Sequence, residues 1–206
     1  MMKLYDTKRA PNPRRVRWFM AEKDITDIEI VEISIMGGEH KQPDYIARAG
    51  LANVPALEID AETTITESIA ICRYLESVYP DPNLFGRDAK ETAVIEMWTR
   101  RAEMLVSTPL MLSVRHSLPA LAAIETQVPE VAATNRQAGE RALKMIDRQL
   151  ADREFIAADR VTMADIVAIT AIDFAKLVQF APDPALENVE RWRVAMKARA
   201  AASAGV

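Results

Sequence analysis

Hydrophobic and polar positions in residues 1–79 switch repeatedly between two periods. Met2–Asp6, Ile28–Ile33, Pro55–Ile59 and Thr63–Ile65 are short, rich in β-branched residues or alternating, and read as strands. Between them lie segments with helical spacing. Pro13–Lys23 puts Val16, Phe19 and Met20 on one face, Pro43–Arg48 makes a short helix, and Thr66–Tyr79 is expected to bury Ile69, Cys72, Leu75 and Tyr79. Asp60-Ala61-Glu62 has the polar character of the turn between the last two strands. The order βαβαββα predicts a compact α/β layer around a mixed sheet.

Pro80-Asp81-Pro82-Asn83 ends this pattern, and 80–87 reads as a linker. Beyond it no strand pattern recurs. Helices are expected over about 88–117, 129–151, 162–179 and 186–200, with Pro119, Pro129, Pro182 and Pro184 marking breaks. Pro109 falls inside the first of these and should kink or split it, because it lacks an N–H and its ring crowds the preceding turn. The expected division is an α/β domain at 1–79, a linker at 80–87 and an all-α helical bundle at 88–206. One helix start is unusually well specified. Thr162 sits at the N-cap with Asp165 three residues on, and Val161 and Ile166 are spaced to pack across the turn.

Composition narrows the function. The chain has 206 residues, of which 50% are hydrophobic and 27% charged, enough for a substantial core. A net charge of −4 argues against nucleic acid as the main partner. Arg14, Arg15 and Arg17 form a local basic cluster, expected to be a solvated helix face. A single cysteine, Cys72, excludes an internal disulfide and a cysteine-based metal site, and its neighbours suggest a buried apolar role. The N-terminus carries no signal-like apolar core, and Asp165, Asp173 and Lys176 interrupt the longest apolar stretch. A soluble cytoplasmic protein without a bound metal is expected.

Two motifs carry the chemistry. In Asn53-Val54-Pro55-Ala56-Leu57, Val54 is forced into an extended backbone by the proline after it, and the proline limits pairing within the sheet. Glu67-Ser68 then opens a helix whose free N–H groups can hold an anion. Together they suit an extended ligand with a peptide-like middle and an acidic end. A third feature, Ala10-Pro11-Asn12-Pro13-Arg14-Arg15-Val16, starts a helix directly after the first strand, with Asn12 as the expected N-cap and Pro13 as the first helical residue.

Across these motifs and the Val161–Ile166 helix start, the chain resembles the cytosolic glutathione transferase superfamily. The resemblance implies a thioredoxin-like N-terminal domain, a helical C-terminal domain and glutathione as cosubstrate. It implies that the Val54 backbone pairs with the cysteinyl unit before a cis Pro55. Glu67 would meet the γ-glutamyl ammonium and Ser68 the γ-glutamyl carboxylate. His40 and Lys41 would reach the glycyl carboxylate, with Asn53 as a further donor. A free thiol with a pKa of about 8.5 is barely ionised at neutral pH, so such a site must supply donors or positive potential to the sulfur. Ala10 stands where several classes carry a catalytic serine. Asn12 resembles the asparagine of some bacterial and fungal classes and either donates to the sulfur or only caps the helix; Tyr5 and Thr7 are secondary candidates. A small hydrophobic electrophile would bind between the domains, where Trp98, Arg101, Met104, Leu105 and His116 are available, although most of these read as core and His116 as a helix C-cap partner. The family also implies a homodimer. The competing reading is a non-catalytic glutathione-binding or scaffold protein of the same fold.

Overall fold

A computed structural model describes all residues, 1–206. By its internal packing the chain divides into two compact units, Met1–Pro82 with Ala200–Val206, and Asn83–Arg199.

The first unit is built on strands β1 (Lys3–Asp6), β2 (Glu29–Glu32), β3 (Ala56–Glu58) and β4 (Thr64–Thr66), in the spatial order β2-β1-β3-β4. β2 runs parallel to β1, and the β1–β3 and β3–β4 pairs are antiparallel, giving the mixed sheet that the element order predicts. Helices α1 (Pro11–Glu22), α2 (Pro43–Ala49) and α3 (Ser68–Val78) complete the layer. Side chains alternate across the pleat. Tyr5 and Ala56 therefore share one face with Tyr45 and Ala49 of α2 and with Ile33. Leu4 and Leu57, paired neighbours with no exposed surface, occupy the other face, where α1 and α3 pack together. On α3 the buried stripe is Ser68, Ile71, Cys72 and Leu75; Ile69 and Tyr79, expected in it, are only half-buried. Starting the helix at Ser68 turns the stripe toward Ile71. Asp60 Oδ1 accepts from the Glu62 and Thr63 amides at 2.9 Å each and fixes the β3–β4 turn.

The last seven residues, read from sequence with the helical half, contact this unit. Arg14 donates to the Ala202 carbonyl at 3.0 Å, and the Arg9 amide donates to the Gly205 carbonyl at 3.1 Å.

The second unit contains α4 (Ala89–Arg101), a π-helical turn at Ala102–Ser107, α5 (Thr108–Arg115), α6 (Pro129–Gln149), α7 (Met163–Ala175) and α8 (Glu187–Lys197). Pro109 neither splits nor ends the first helical path. The Thr108 amide donates to the Glu103 carbonyl, five residues back, and this wider turn accommodates a proline that an α-helical register would reject. At Gly139 of α6 an added Cβ would come within 2.6 Å of Leu110, so glycine permits the close approach of α5. α7 is buried almost all round. Asp165 is fully buried at its start; its carboxylate accepts from the Thr162 amide and hydroxyl and the Ile156 amide, at 2.9 Å each, and from Trp192 Nε1 at 3.0 Å. Burial pushes this carboxyl up, and the four donors oppose that shift. Asn83 brackets Gly86 with two hydrogen bonds, and Leu84 and Phe85 are buried. No helix is long and apolar enough to cross a membrane.

Candidate functional site

Four connections converge on one end of the sheet. Because Tyr5 pairs with Ala56 and Ala56 with Thr66, the residues after β1, before β3 and after β4 lie side by side. Parallel pairing of Asp6 with Glu32 brings the chain after β2 to the same end, where the Ile33 amide donates to the Asp6 carbonyl at 2.7 Å. Asn12, His40, Lys41, Asn53, Val54, Pro55, Glu67 and Ser68 all belong to these connections or to the helix starts that follow them.

The α1 start differs from its expected form. Ala10 is the N-cap and Pro11 the first helical residue; Asn12 lies inside the first turn and caps nothing. Both prolines prefer the φ of a first helical turn and have no N–H to satisfy, so the helix begins one proline earlier than expected. The consequence is chemical. Of the first three helical positions only Asn12 has a backbone N–H, since Pro11 and Pro13 have none and the Arg14 amide already bonds to the Ala10 carbonyl at 3.1 Å. The Asn12 side chain makes no hydrogen bond within the protein, and its Oδ1 is buried without a partner.

The neighbouring arginines are not a solvated face. Arg14 and Arg15 are buried, and Arg17 donates to Asp6 at 3.1 Å. Arg14 lies 5.3 Å from the centre of the Trp18 ring. Arg15 donates to Ser68 Oγ at 3.2 Å, linking the starts of α1 and α3. The Ser68 oxygen is thereby an acceptor, which leaves its hydroxyl proton free to donate beside a buried guanidinium. The first turn of α3 adds orphan N–H groups, because the ladder begins with the Ile71 amide on the Glu67 carbonyl at 2.9 Å. Glu67 is exposed and takes a left-handed backbone, φ +67°, which costs a non-glycine residue about 1–3 kcal/mol.

Val54 is half-buried ahead of a cis Pro55, and its N–H and C=O pair with no other backbone group. Asn53 is exposed, and its carbonyl accepts from the Tyr45 hydroxyl at 2.5 Å. His40 is buried in a 3₁₀ turn, Glu39–Lys41, with Nδ1 unpartnered; burial, followed by the adjacent Lys41 charge, lowers its pKa. Lys41 is exposed. No hydrogen bond joins His40 or Lys41 to Val54 or Ser68.

Tyr5 is committed elsewhere: its hydroxyl donates to Glu58 at 2.8 Å and accepts from Arg48 at 2.5 Å. Thr7 is half-buried just past β1. Burial pushes the Cys72 thiol up and keeps it protonated. In the second unit Trp98 is buried under the Arg101 guanidinium, 4.7 Å from its ring centre. Met104 and Leu105 are exposed rather than core. His116 is the C-cap of α5, and its Nδ1 accepts from the Val128 amide at 3.2 Å.

Sequence reasoning missed the arginine behind Ser68 and the tyrosine behind Asn53. The hydrogen bond between Arg15 and Ser68 joins residues 53 apart in sequence and leaves no local pattern.

Comparison with known proteins matches both units. Residues 1–77 match the family model for the glutathione S-transferase N-terminal domain, and residues 103–200 match that for the C-terminal domain. Glutathione S-transferase 2 of Saccharomyces cerevisiae is 33% identical over 96% of this chain and 86% of its own length. Glutathione S-transferase 3 of Zea mays is 29% identical over 97% of this chain and 90% of its own. A solved glutathione S-transferase domain-containing protein from Marinobacter aquaeolei superposes with a TM-score of 0.90 at 35% identity, covering 97% of this chain and 98% of that one. The structure of Gtt2 from Saccharomyces cerevisiae gives 0.91 at 32%, covering 97% of each. With both halves matched and the likeness running nearly end to end, the chain belongs to the cytosolic glutathione S-transferase superfamily of enzymes.

Proposed function

We propose that this protein binds reduced glutathione across the open end of its sheet and activates the thiol for attack on a small hydrophobic electrophile. The observation that carries the reading is a set of uncommitted groups at that end: the Asn12 amides, the Val54 backbone and the first turn of α3, with Arg15 behind Ser68. In this reading the cysteinyl unit pairs with Val54, the γ-glutamyl carboxylate rests on Ser68 and the α3 N-terminus, and its ammonium meets Glu67. His40 and Lys41 take the glycyl carboxylate, with Asn53 at the rim.

The sulfur is assigned to Asn12. A thiolate there receives the single first-turn N–H of α1, its side-chain amide and the positive end of the helix dipole. The thiol proton passes to solvent, the sulfur bonds to the electrophilic atom, and the leaving group departs with its electron pair. Ala10 contributes no hydroxyl, so this scheme needs no serine. The protein is further assigned as a homodimer, supported by exposed Met97, Met104 and Leu105 along the first helical path of the second unit.

The test is the ultraviolet absorbance of the bound thiolate followed across pH. The expected result is a bound thiol titrating well below the free value of about 8.5. Binding with an unshifted thiol supports the scaffold reading instead, and absence of binding overturns both.

A further inference from the structure

The Asn53–Val54 peptide is held by a side chain from another element. Tyr45, in the middle of α2, is 7% exposed, and its ring meets Tyr5 edge-on with centroids 5.9 Å apart. Ile33, Ala49 and Ala56 pack in the same cluster, and Val54 packs against it. The hydroxyl donates to the Asn53 carbonyl at 2.5 Å. In a trans peptide unit the C=O and the following N–H point in opposite directions. A carbonyl of residue 53 drawn inward to Tyr45 therefore turns the Val54 N–H outward, away from α2, where no other backbone group meets it.

We infer that Tyr45 is a positioning residue for ligand binding: its hydroxyl fixes the plane of the Asn53–Val54 peptide and so aims the Val54 N–H at the backbone of an extended peptide ligand. The inference rests on the glutathione reading and adds a residue that touches neither the ligand nor the reacting sulfur. It also gives α2 a double part. The same short stretch of chain carries His40 and Lys41 just ahead of the helix and Tyr45 within it. Ordering α2 thus prepares two separate contacts at once.

The Tyr45→Phe variant removes the oxygen and keeps the ring that packs on Tyr5. In the full-length protein the Kd for glutathione should rise about three- to tenfold, the worth of one net hydrogen bond. The rate at saturating glutathione should stay within about twofold, because Val54 positions the ligand and does not touch developing charge. A second probe is a glutathione analogue whose cysteinyl carbonyl is a thioamide, a weaker acceptor. The wild type should discriminate against it, and Tyr45→Phe should discriminate less. An unchanged Kd in Tyr45→Phe, or equal discrimination by both proteins, overturns the inference while leaving glutathione binding intact. Parallel losses of affinity, turnover and melting temperature would reduce Tyr45 to a core residue. A wild type that fails to bind glutathione removes the underlying reading as well, and is told apart from these outcomes by the first titration.

Discussion

The starts of α1 and α7 are built from the same kind of local chemistry and end in opposite states. At α7 every strong polar group is spent. Asp165 accepts four hydrogen bonds in a fully buried setting, from Thr162, Ile156 and Trp192. At α1 almost nothing is spent: the N-cap is an alanine, two prolines delete two N–H groups, and Asn12 keeps its side-chain amide unpaired. A closed network lowers the energy of one conformation, whereas an open one keeps donors for a molecule that is not part of the chain. The contrast teaches that a capping signature and a binding signature separate only when the hydrogen bonds are traced.

The largest effect that can break this contrast is at α7. Asp165→Ala leaves the amides of Ile156 and Thr162 and the indole N–H of Trp192 without an acceptor in a buried site. Each orphaned donor costs about 1–3 kcal/mol, so a total loss of at least about 3 kcal/mol is expected. Urea unfolding monitored by tryptophan fluorescence measures it. A loss below about 1 kcal/mol would mean that water substitutes for the carboxylate and that the network is not closed.

Asn12→Ala probes the other side. Since the side chain forms no hydrogen bond in the protein, stability should change by less than about 0.5 kcal/mol. Turnover with glutathione should fall about 10²-fold, the effect of removing one donor to a developing or stored negative charge, with a smaller change in glutathione affinity. The bound thiol should titrate closer to its free value. A stability loss of about 1 kcal/mol with turnover intact would restore the capping role suggested by sequence and erase the distinction between the two helix starts.

Much of this is legible in the sequence, and the boundary has a physical basis. The mixed sheet, the α/β order and the Thr162–Asp165 box follow from spacings within a few residues, where backbone preference and side-chain reach dominate. The positions of Val54, Glu67 and Ser68 in the fold were legible for the same reason. The start of α1 departs from the expectation because two prolines flank Asn12, and either can open a helix. The arginines on α1 looked solvated because composition does not reveal that Ser68, Asp6 and the Ala202 carbonyl wait for them. Pro109 announced a disturbance, but its resolution as a π turn depends on packing that sequence does not display. Tyr45 lies in α2 and Asn53 in the connection before β3, and only the structure joins them.

The smallest expected effect asks whether the satisfied style of the second unit extends to its surface. Arg160 donates to both carboxylate oxygens of Glu91, at 2.6 and 3.0 Å, and also to Asn83. The guanidinium, followed by the Arg87 amide, pulls the Glu91 carboxyl down to about 2. A carboxyl depressed in the folded state adds stability above its ordinary value of 4.5 and loses it as pH falls toward about 2. Glu91 is 24% exposed, so solvent screens part of this, and Glu91→Gln should cost only about 1–2 kcal/mol at pH 7. Wild type and variant should converge as the pH is lowered from about 4.5 to about 2 in parallel urea titrations. If the difference persists unchanged at the acid end, the contribution of Glu91 lies in its cap-side hydrogen bond to the Arg87 amide and in packing, not in charge.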